Sequence, residues 1–251
     1  MDAATDRAGG GGRIAAIDIA RTVALIGMVV YHFTYDLQNF GLIAPSTATT
    51  GGWAIFARVV AGSFLFLAGV SLWLAHGRGI RWLAFRRRLV IVALAAALIT
   101  VATWLAMPDR FVFFGILHSI AFASLIGLAF LRVPAPLTLA IAAAIVALRL
   151  YGQSVDFDAP WFAWTGLAAN PPGSIDFVPP FPWLASCLAG IALARLATRT
   201  GLWDRLRSAE RAIPTRAAHV LAWPGRHSLP IYLIHQPVLI GLIWAATRAF
   251  G

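Results

Sequence analysis

Two ionisable side chains in the first apolar stretch of the sequence, Arg21 and His32, are spaced to share one face of a helix. They are eleven residues apart, close to three full turns, so the side chains would project from the same face about 16 Å apart. Ionisable groups are costly inside a bilayer and usually face a partner, water or a substrate. A helix that carries them near both ends offers polar chemistry to both sides of a membrane. Moving a chemical group between two compartments requires that arrangement.

Each of these residues has a carboxylate close to it in sequence. Asp18 precedes Arg21 by three residues, so the two lie at neighbouring positions of one face and would form either a local ion pair or part of a binding site. Asp36 follows His32 by about one turn and could orient its imidazole. A neutral imidazole held in this way can act as a general base or as a transient acyl acceptor.

Two more polar side chains fall in later apolar stretches. Arg58 would lie at a depth comparable to His32, where it must reach outward or pair, either with Asp36 or with a carboxylate or sulfate of a substrate. His118 would lie about two turns from the outer end of the fourth stretch. It either shares a pocket with His32 or is a buried histidine with satisfied hydrogen bonds.

The last apolar stretch concentrates its polar side chains in one turn. Tyr232, His235 and Gln236 lie together, next to Pro237, in a segment that is otherwise apolar. Proline kinks a helix and frees backbone carbonyls, and ligands often bind at such kinks. This turn would contact an acyl donor, or it would bond to a neighbouring helix.

The composition indicates the elements that must position these residues. Of 251 residues, 60% are hydrophobic and 12% are charged, about half the charged fraction of a typical soluble domain. Several apolar runs approach 20 residues, the length that crosses a bilayer. The sequence therefore predicts an all-α, polytopic integral membrane bundle of about seven helices, with residues 1–12 as a flexible cytoplasmic tail and 13–251 as one transmembrane domain. The predicted spans are 13–33, 53–75, 89–106, 111–131, 136–150, 181–196 and 228–249.

The distribution of arginine sets the orientation and excludes nucleic acid as a partner. The net charge is +10, but the arginines lie in short connections between apolar runs and form no groove-facing surface. Most of them fall on one side if the amino terminus is cytoplasmic, which the positive-inside rule favours, and the carboxyl terminus is then outside. The single cysteine and the absence of zinc-spaced Cys/His sets predict no metal site and no permanently bound cofactor.

Several stretches resemble the bacterial heparan-alpha-glucosaminide N-acetyltransferase catalytic-domain family. They span most of the chain: RIAAIDIAR at 13–21, YHF at 31–33, DL at 36–37, GSFLFLAG at 62–69, FFGILH at 113–118, FPWL at 181–184 and HSLPIYLIHQP at 227–237. The Arg-to-His spacing of the first span is also similar to that of the wider membrane acyltransferase superfamily. The resemblance implies a multi-pass protein of the bacterial inner membrane. It implies transfer of an acetyl group from cytoplasmic acetyl-CoA to an amino or hydroxyl group of an extracytoplasmic sugar or glycan.

For a reaction of this class, the residue types and positions suggest the following roles. His32 would be the general base or transient acetyl acceptor, Asp36 would orient it, and Arg58 would hold the acceptor or stabilise oxyanion charge. The remaining candidates would bind donor or acceptor: Asp18, Arg21, Arg86, Arg88, His118, Tyr232, His235 and Gln236. Among them, Arg21, His235 and the basic residues 86–88 would receive the pantetheine and phosphates of CoA.

Two other functions fit the same residues. A non-enzymatic membrane protein, either a small transporter or an envelope-assembly partner, could use the polar face as a permeation path or a helix interface. The other alternative is a family member that keeps the fold without activity. The sequence also leaves open whether the protein is a homo-oligomer.

Overall fold

The described part of the chain is helical. The computed structural model describes residues 14–210 and 215–250, and the predicted tail, residues 1–12, lies outside them. Within these residues the only strand-like pairing is an isolated bridge between Ser154 and Ala168. The α-helices are α1 (Ala15–Asn39), α2 (Gly51–His76), α3 (Trp82–Ala106), α4 (Ile116–Phe130), α5 (Ala135–Tyr151), α6 (Pro180–Arg199), α7 (Leu202–Glu210), α8 (Thr215–Arg226) and α9 (Ser228–Phe250).

Five of these helices are long and apolar enough to cross a membrane: α1, α2, α3, α6 and α9. The other two predicted spans correspond to α4 and α5, which are shorter apolar helices of 15 and 17 residues. The prediction of an all-α, polytopic membrane protein is confirmed. Its apolar surface needs lipid, because side chains such as Leu83 and Leu105 are more than 70% exposed.

The bundle packs around α6. Leu65 of α2 and Leu188 of α6 have no exposed surface, and neither has Cys187. The two backbones approach closely, since a Cβ atom placed on Gly69 would lie 2.0 Å from the Cys187 carbonyl oxygen. Only glycine permits that distance, as is common where helices associate in membranes.

Helix α8 packs against the start of α1. The Thr22 hydroxyl donates to the Leu221 carbonyl at 2.7 Å, and the Gly225 amide donates to the Thr22 hydroxyl at 2.9 Å. A Cβ on Gly225 would lie 1.8 Å from the Asp18 carbonyl oxygen, so this contact also requires glycine. α8 therefore fixes where α9 begins relative to α1.

The two ends of the bundle differ in character. The end where α1 and α3 begin and α2 and α6 end is called the basic end here, because Arg78 and Arg81 lie there. The opposite end, called the loop end, carries the long segment 152–179.

Two helices extend beyond their predicted spans by more than one turn. α1 continues to Asn39, so Asp36 is part of the helix and not of the polar loop that was expected to follow it. α3 begins at Trp82, so Arg86 and Arg88 lie in its first two turns instead of in a basic turn before it.

Candidate active site

Four polar side chains from α1 and α9 meet inside the bundle: His32 and Asp36 from α1, and His235 and Gln236 from α9. We call them the polar quartet. The His32 and His235 rings touch edge to face, with centroids 4.9 Å apart. The Gln236 Nε2 amide donates to Asp36 Oδ1 at 2.8 Å. Helical periodicity explains the grouping, since residues 32 and 36 are one turn apart on α1 and 235 and 236 are adjacent on α9.

Each member of the polar quartet has one buried polar atom with no hydrogen-bond partner in the described residues. These atoms are His32 Nδ1, Asp36 Oδ2, His235 Nε2 and Gln236 Oε1. Asp36 is 2% exposed and His235 is 9% exposed. Buried polar atoms are nearly always hydrogen-bonded, so four orphaned atoms in adjacent side chains single this place out as a candidate site for a polar ligand.

The hydrogen bonds of Asp36 differ from the sequence-based expectation. Asp36 was predicted to orient His32, but its carboxylate accepts from Gln236, and no hydrogen bond joins Asp36 to His32 within residues 14–210 and 215–250. Asp36 therefore acts as a tie between α1 and α9. Because Asp36 holds Gln236, it also helps to keep the adjacent His235 beside His32.

The polar quartet opens towards the loop end through His32. His32 lines a cavity of about 720 Å³ with Tyr31, Arg58, Arg149 and Asp176. Arg58 was predicted at this depth, and the structure brings it into the same cavity as His32. No ion pair of Arg58 occurs among the described residues. Arg149, on α5, is a second cation in this cavity that sequence reasoning did not select.

Asp176 is a candidate site residue that sequence reasoning missed. It comes from the long segment between α5 and α6. Its Oδ2 accepts from the Ile116 backbone amide at 3.0 Å, at the start of α4, and from the Tyr232 hydroxyl at 3.4 Å. Burial raises the pKa of Asp176, and these two hydrogen bonds oppose the rise. A backbone contact between distant segments leaves no signal in the sequence.

His118 has a structural role in this geometry. The Gly115 amide donates to His118 Nδ1 at 3.2 Å, so Nε2 carries the proton and faces the Thr100 hydroxyl at 3.2 Å. That hydroxyl donates in turn to the Val112 carbonyl at 2.7 Å. Both ring nitrogens are thus engaged, and His118 does not line the cavity of His32. His118 therefore fits the alternative of a histidine with satisfied hydrogen bonds, and it does not share a pocket with His32.

A second cavity, of about 520 Å³, lies at the basic end. Five arginines line it: Arg21, Arg78, Arg81, Arg88 and Arg207. The predicted pair of Asp18 and Arg21 is present, with an ion pair of 2.6 Å, and Arg226 approaches the same carboxylate at 3.4 Å. Arg21 also donates to the Ser71 hydroxyl.

Arg86 and Arg88, which were predicted to act together, lie on different sides of α3. Arg88 lines the basic-end cavity, whereas Arg86 is exposed and lines neither this cavity nor the one at the loop end. Two residues along a helix point in nearly opposite directions, which explains the difference.

A groove lies between the two cavities and shares lining residues with both. It has a volume of about 590 Å³ and lies between α3, α4 and the start of α9. It shares Arg88 with the basic-end cavity, and it shares Phe64, Ile116 and Tyr232 with the loop-end cavity. Most of its lining is apolar, with Leu83, Ile91 and Leu229 among its walls. Tyr232 therefore lies at the junction between the groove and the cavity that contains His32.

The comparison with known families identifies the family of the chain. A family model described as heparan-alpha-glucosaminide N-acetyltransferase, catalytic, matches residues 13–237, a range that contains the whole polar quartet. Neither the curated proteins nor the solved structures gave a match. The predicted resemblance is confirmed, since the match covers most of the 251 residues. The chain therefore belongs to the heparan-alpha-glucosaminide N-acetyltransferase catalytic family and is a membrane acetyltransferase.

Proposed function

We propose that the protein transfers an acetyl group from cytoplasmic acetyl-CoA, bound at the basic end, to an amino or hydroxyl group of an extracytoplasmic sugar or glycan. The acceptor would bind in the loop-end cavity. One observation carries the proposal: an arginine-lined cavity and a histidine-bearing cavity lie at opposite ends of the bundle, and a groove between them shares lining residues with both.

The chemistry of CoA favours the basic end for the donor. CoA carries several phosphate charges, and arginine binds phosphate through paired, charge-assisted hydrogen bonds. Arg78, Arg81 and Arg88 face one cavity and supply such donors. The slender, mostly uncharged pantetheine arm would follow the apolar groove, so that the thioester reaches Tyr232 and the polar quartet.

The acceptor would meet the thioester beside His32. Its amino or hydroxyl group attacks the thioester carbonyl carbon, forming the new C–N or C–O bond as the C–S bond breaks. His32 takes the proton from the attacking group and returns it to the leaving thiolate, which gives CoA-SH. Arg58 and Arg149 face the same cavity and would hold the acceptor or stabilise the oxyanion.

The positive-inside rule supports the orientation used here. The arginine-rich basic end would face the cytoplasm, where acetyl-CoA is made, and the loop end would face outward. The bacterial inner membrane is the location that fits this orientation.

The transfer itself can be tested in proteoliposomes. We expect purified protein to move label from acetyl-CoA to glucosamine or a glucosaminide, and we expect His32→Ala to abolish the transfer while insertion is unchanged. Transfer at the wild-type rate by His32→Ala would refute the assignment.

The donor site can be tested separately by equilibrium binding of CoA. Arg88→Gln should weaken binding by about 10-fold or more, the loss typical of a charge-assisted hydrogen bond. Arg86→Gln is the matched control, since it removes the same charge two residues away from a side chain outside the cavity. Equal losses in both variants would show that the effect is general electrostatics, and an absence of CoA binding would favour a non-enzymatic function.

A further inference from the structure

The proton on His235 is located by its hydrogen bond. His235 Nδ1 lies 2.6 Å from the Tyr232 carbonyl oxygen. A carbonyl oxygen can only accept, so Nδ1 must carry the hydrogen. In the neutral ring, Nε2 then holds the lone pair and is an acceptor, and this atom is buried without a partner.

His32 has a buried ring nitrogen that complements this acceptor. Its Nδ1 is buried without a hydrogen-bond partner, and its ring contacts the His235 ring at 4.9 Å between centroids. One ring thus offers a buried acceptor, and the neighbouring ring has a buried nitrogen that can carry a hydrogen. The described residues show no hydrogen bond between these two atoms, and pairing them would satisfy both.

We propose that His235 is a positioning residue for His32, accepting a hydrogen bond from His32 Nδ1–H so that the lone pair of His32 lies on Nε2, towards the loop-end cavity. Both rings then carry their hydrogen on Nδ1. His32 donates to His235 Nε2, and His235 donates to the Tyr232 carbonyl oxygen. The same logic holds when a carboxylate orients a catalytic histidine, where the partner of one ring nitrogen determines which form the other takes. Here a second histidine takes the role that sequence reasoning gave to Asp36.

The tie between Asp36 and Gln236 supports this arrangement. Gln236 follows His235 directly, and its 2.8 Å bond to Asp36 joins α9 to α1 one turn beyond His32. The distance between the two histidines is therefore set by an adjacent interhelical hydrogen bond. The assignment rests on the proposed function in one respect, that His32 takes the proton of the acceptor.

The proton transfer balances with this tautomer. The acceptor's proton moves to His32 Nε2 as the bond to the acetyl carbon forms and the C–S bond breaks. The resulting imidazolium is stabilised by His235 Nε2 at its other nitrogen, and the proton then passes to the thiolate.

The tautomer of His32 can be measured without any enzymatic activity. Full-length protein with ¹⁵N-labelled histidine in nanodiscs reports each ring nitrogen by its chemical shift, and the His32→Gln spectrum identifies the His32 signals. We expect wild-type His32 to carry its hydrogen on Nδ1. His235→Phe should shift it to the Nε2–H form or a mixture, whereas His235→Gln, which keeps an acceptor oxygen, should retain the wild-type form.

The matched control is His227→Phe. His227 Nδ1 makes the same kind of bond, 2.9 Å to the Trp223 carbonyl, but its side chain is exposed and lies outside the cavities described above. This variant should leave the His32 signals unchanged. A wild-type His32 with its hydrogen on Nε2, or a tautomer that is unchanged in His235→Phe, would overturn the proposal.

Kinetics add a second readout. His235→Phe should lower kcat by about 10²-fold or more, the usual contribution of a positioned base, with KM for acetyl-CoA unchanged. His235→Gln should recover most of that loss. If wild-type protein transferred no acetyl group, the proposed function would fail, and the tautomer measurement would still decide the role of His235. An equal change of KM in both variants would contradict the positioning role.

Discussion

The interhelical hydrogen bond between Gln236 and Asp36 predicts a measurable contribution to stability. Gln236→Leu keeps a similar side-chain volume and removes the donor, which leaves a carboxylate oxygen of a 2% exposed residue without its partner. Interhelical hydrogen bonds in membranes average about 0.6 kcal/mol, and bonds to charged groups are stronger. We therefore expect Gln236→Leu to lower the free energy of unfolding by about 1–2 kcal/mol.

The chain supplies its own probe for this measurement. Cys187 is the sole cysteine of the sequence and has no exposed surface, so a thiol-reactive dye should label it only on unfolding. At about 2–4 °C per kcal/mol for a protein of this size, the melting temperature should fall by about 2–8 °C.

The control and the double mutant make the test specific. Gln153→Leu removes an equivalent amide donor, which bonds the Ala168 carbonyl at 3.1 Å from an exposed position, and it should change the melting temperature by about 1 °C or less. Asp36→Leu combined with Gln236→Leu should destabilise less than the sum of the two single changes, because the double change leaves no orphaned partner. Additive effects, or a loss no larger than that of Gln153→Leu, would refute the tie between α1 and α9.

Three further predictions follow from the packing and the buried polar groups. Gly69→Ala should destabilise the bundle by about 1–3 kcal/mol in the same Cys187 labelling assay, because the new methyl group collides with the backbone of α6. Asp176→Ala should cost about 1–3 kcal/mol by orphaning the Ile116 amide. Asp176→Asn should be tolerated. It should become more stable relative to the wild type as pH rises above about 4, since a carboxyl whose pKa is raised on folding loses stability as it ionises. A constant difference between the two melting temperatures across pH would contradict this. His118→Leu should lower the melting temperature while KM and kcat per folded molecule stay unchanged, and a selective loss of kcat would return His118 to the active site.

Sequence reasoning identified all four residues of the polar quartet, largely because the bilayer makes polar residues conspicuous. A polar side chain in an apolar run is costly, so His32, His235 and Gln236 stood out without any knowledge of their partners. Helical periodicity then placed them on defined faces. The all-helical fold could be predicted for the same reason, since a spanning segment must satisfy its own backbone.

The partners themselves could not be predicted, because they depend on how helices distant in sequence pack together. Asp36 was paired with His32 by sequence proximity, but α9 offers a closer donor in Gln236, 200 residues away. Asp176 escaped notice for a related reason: an acidic loop residue is ordinary until a fold buries it at the start of another helix. The separation of Arg86 from Arg88 depended on where α3 begins, and helix boundaries are poorly marked in arginine-rich segments.

One turn of α9 serves three parts of the proposed mechanism at once. Tyr232 reaches Asp176 and the junction of groove and cavity, His235 contacts His32, and Gln236 holds Asp36. Few residues of α9 are buried, so these polar contacts account for much of what positions the helix against α1. A displacement of this turn would therefore alter the donor path and the histidine pair together. Because the two change together, access of the thioester and activation of the acceptor would be coupled by the same short segment.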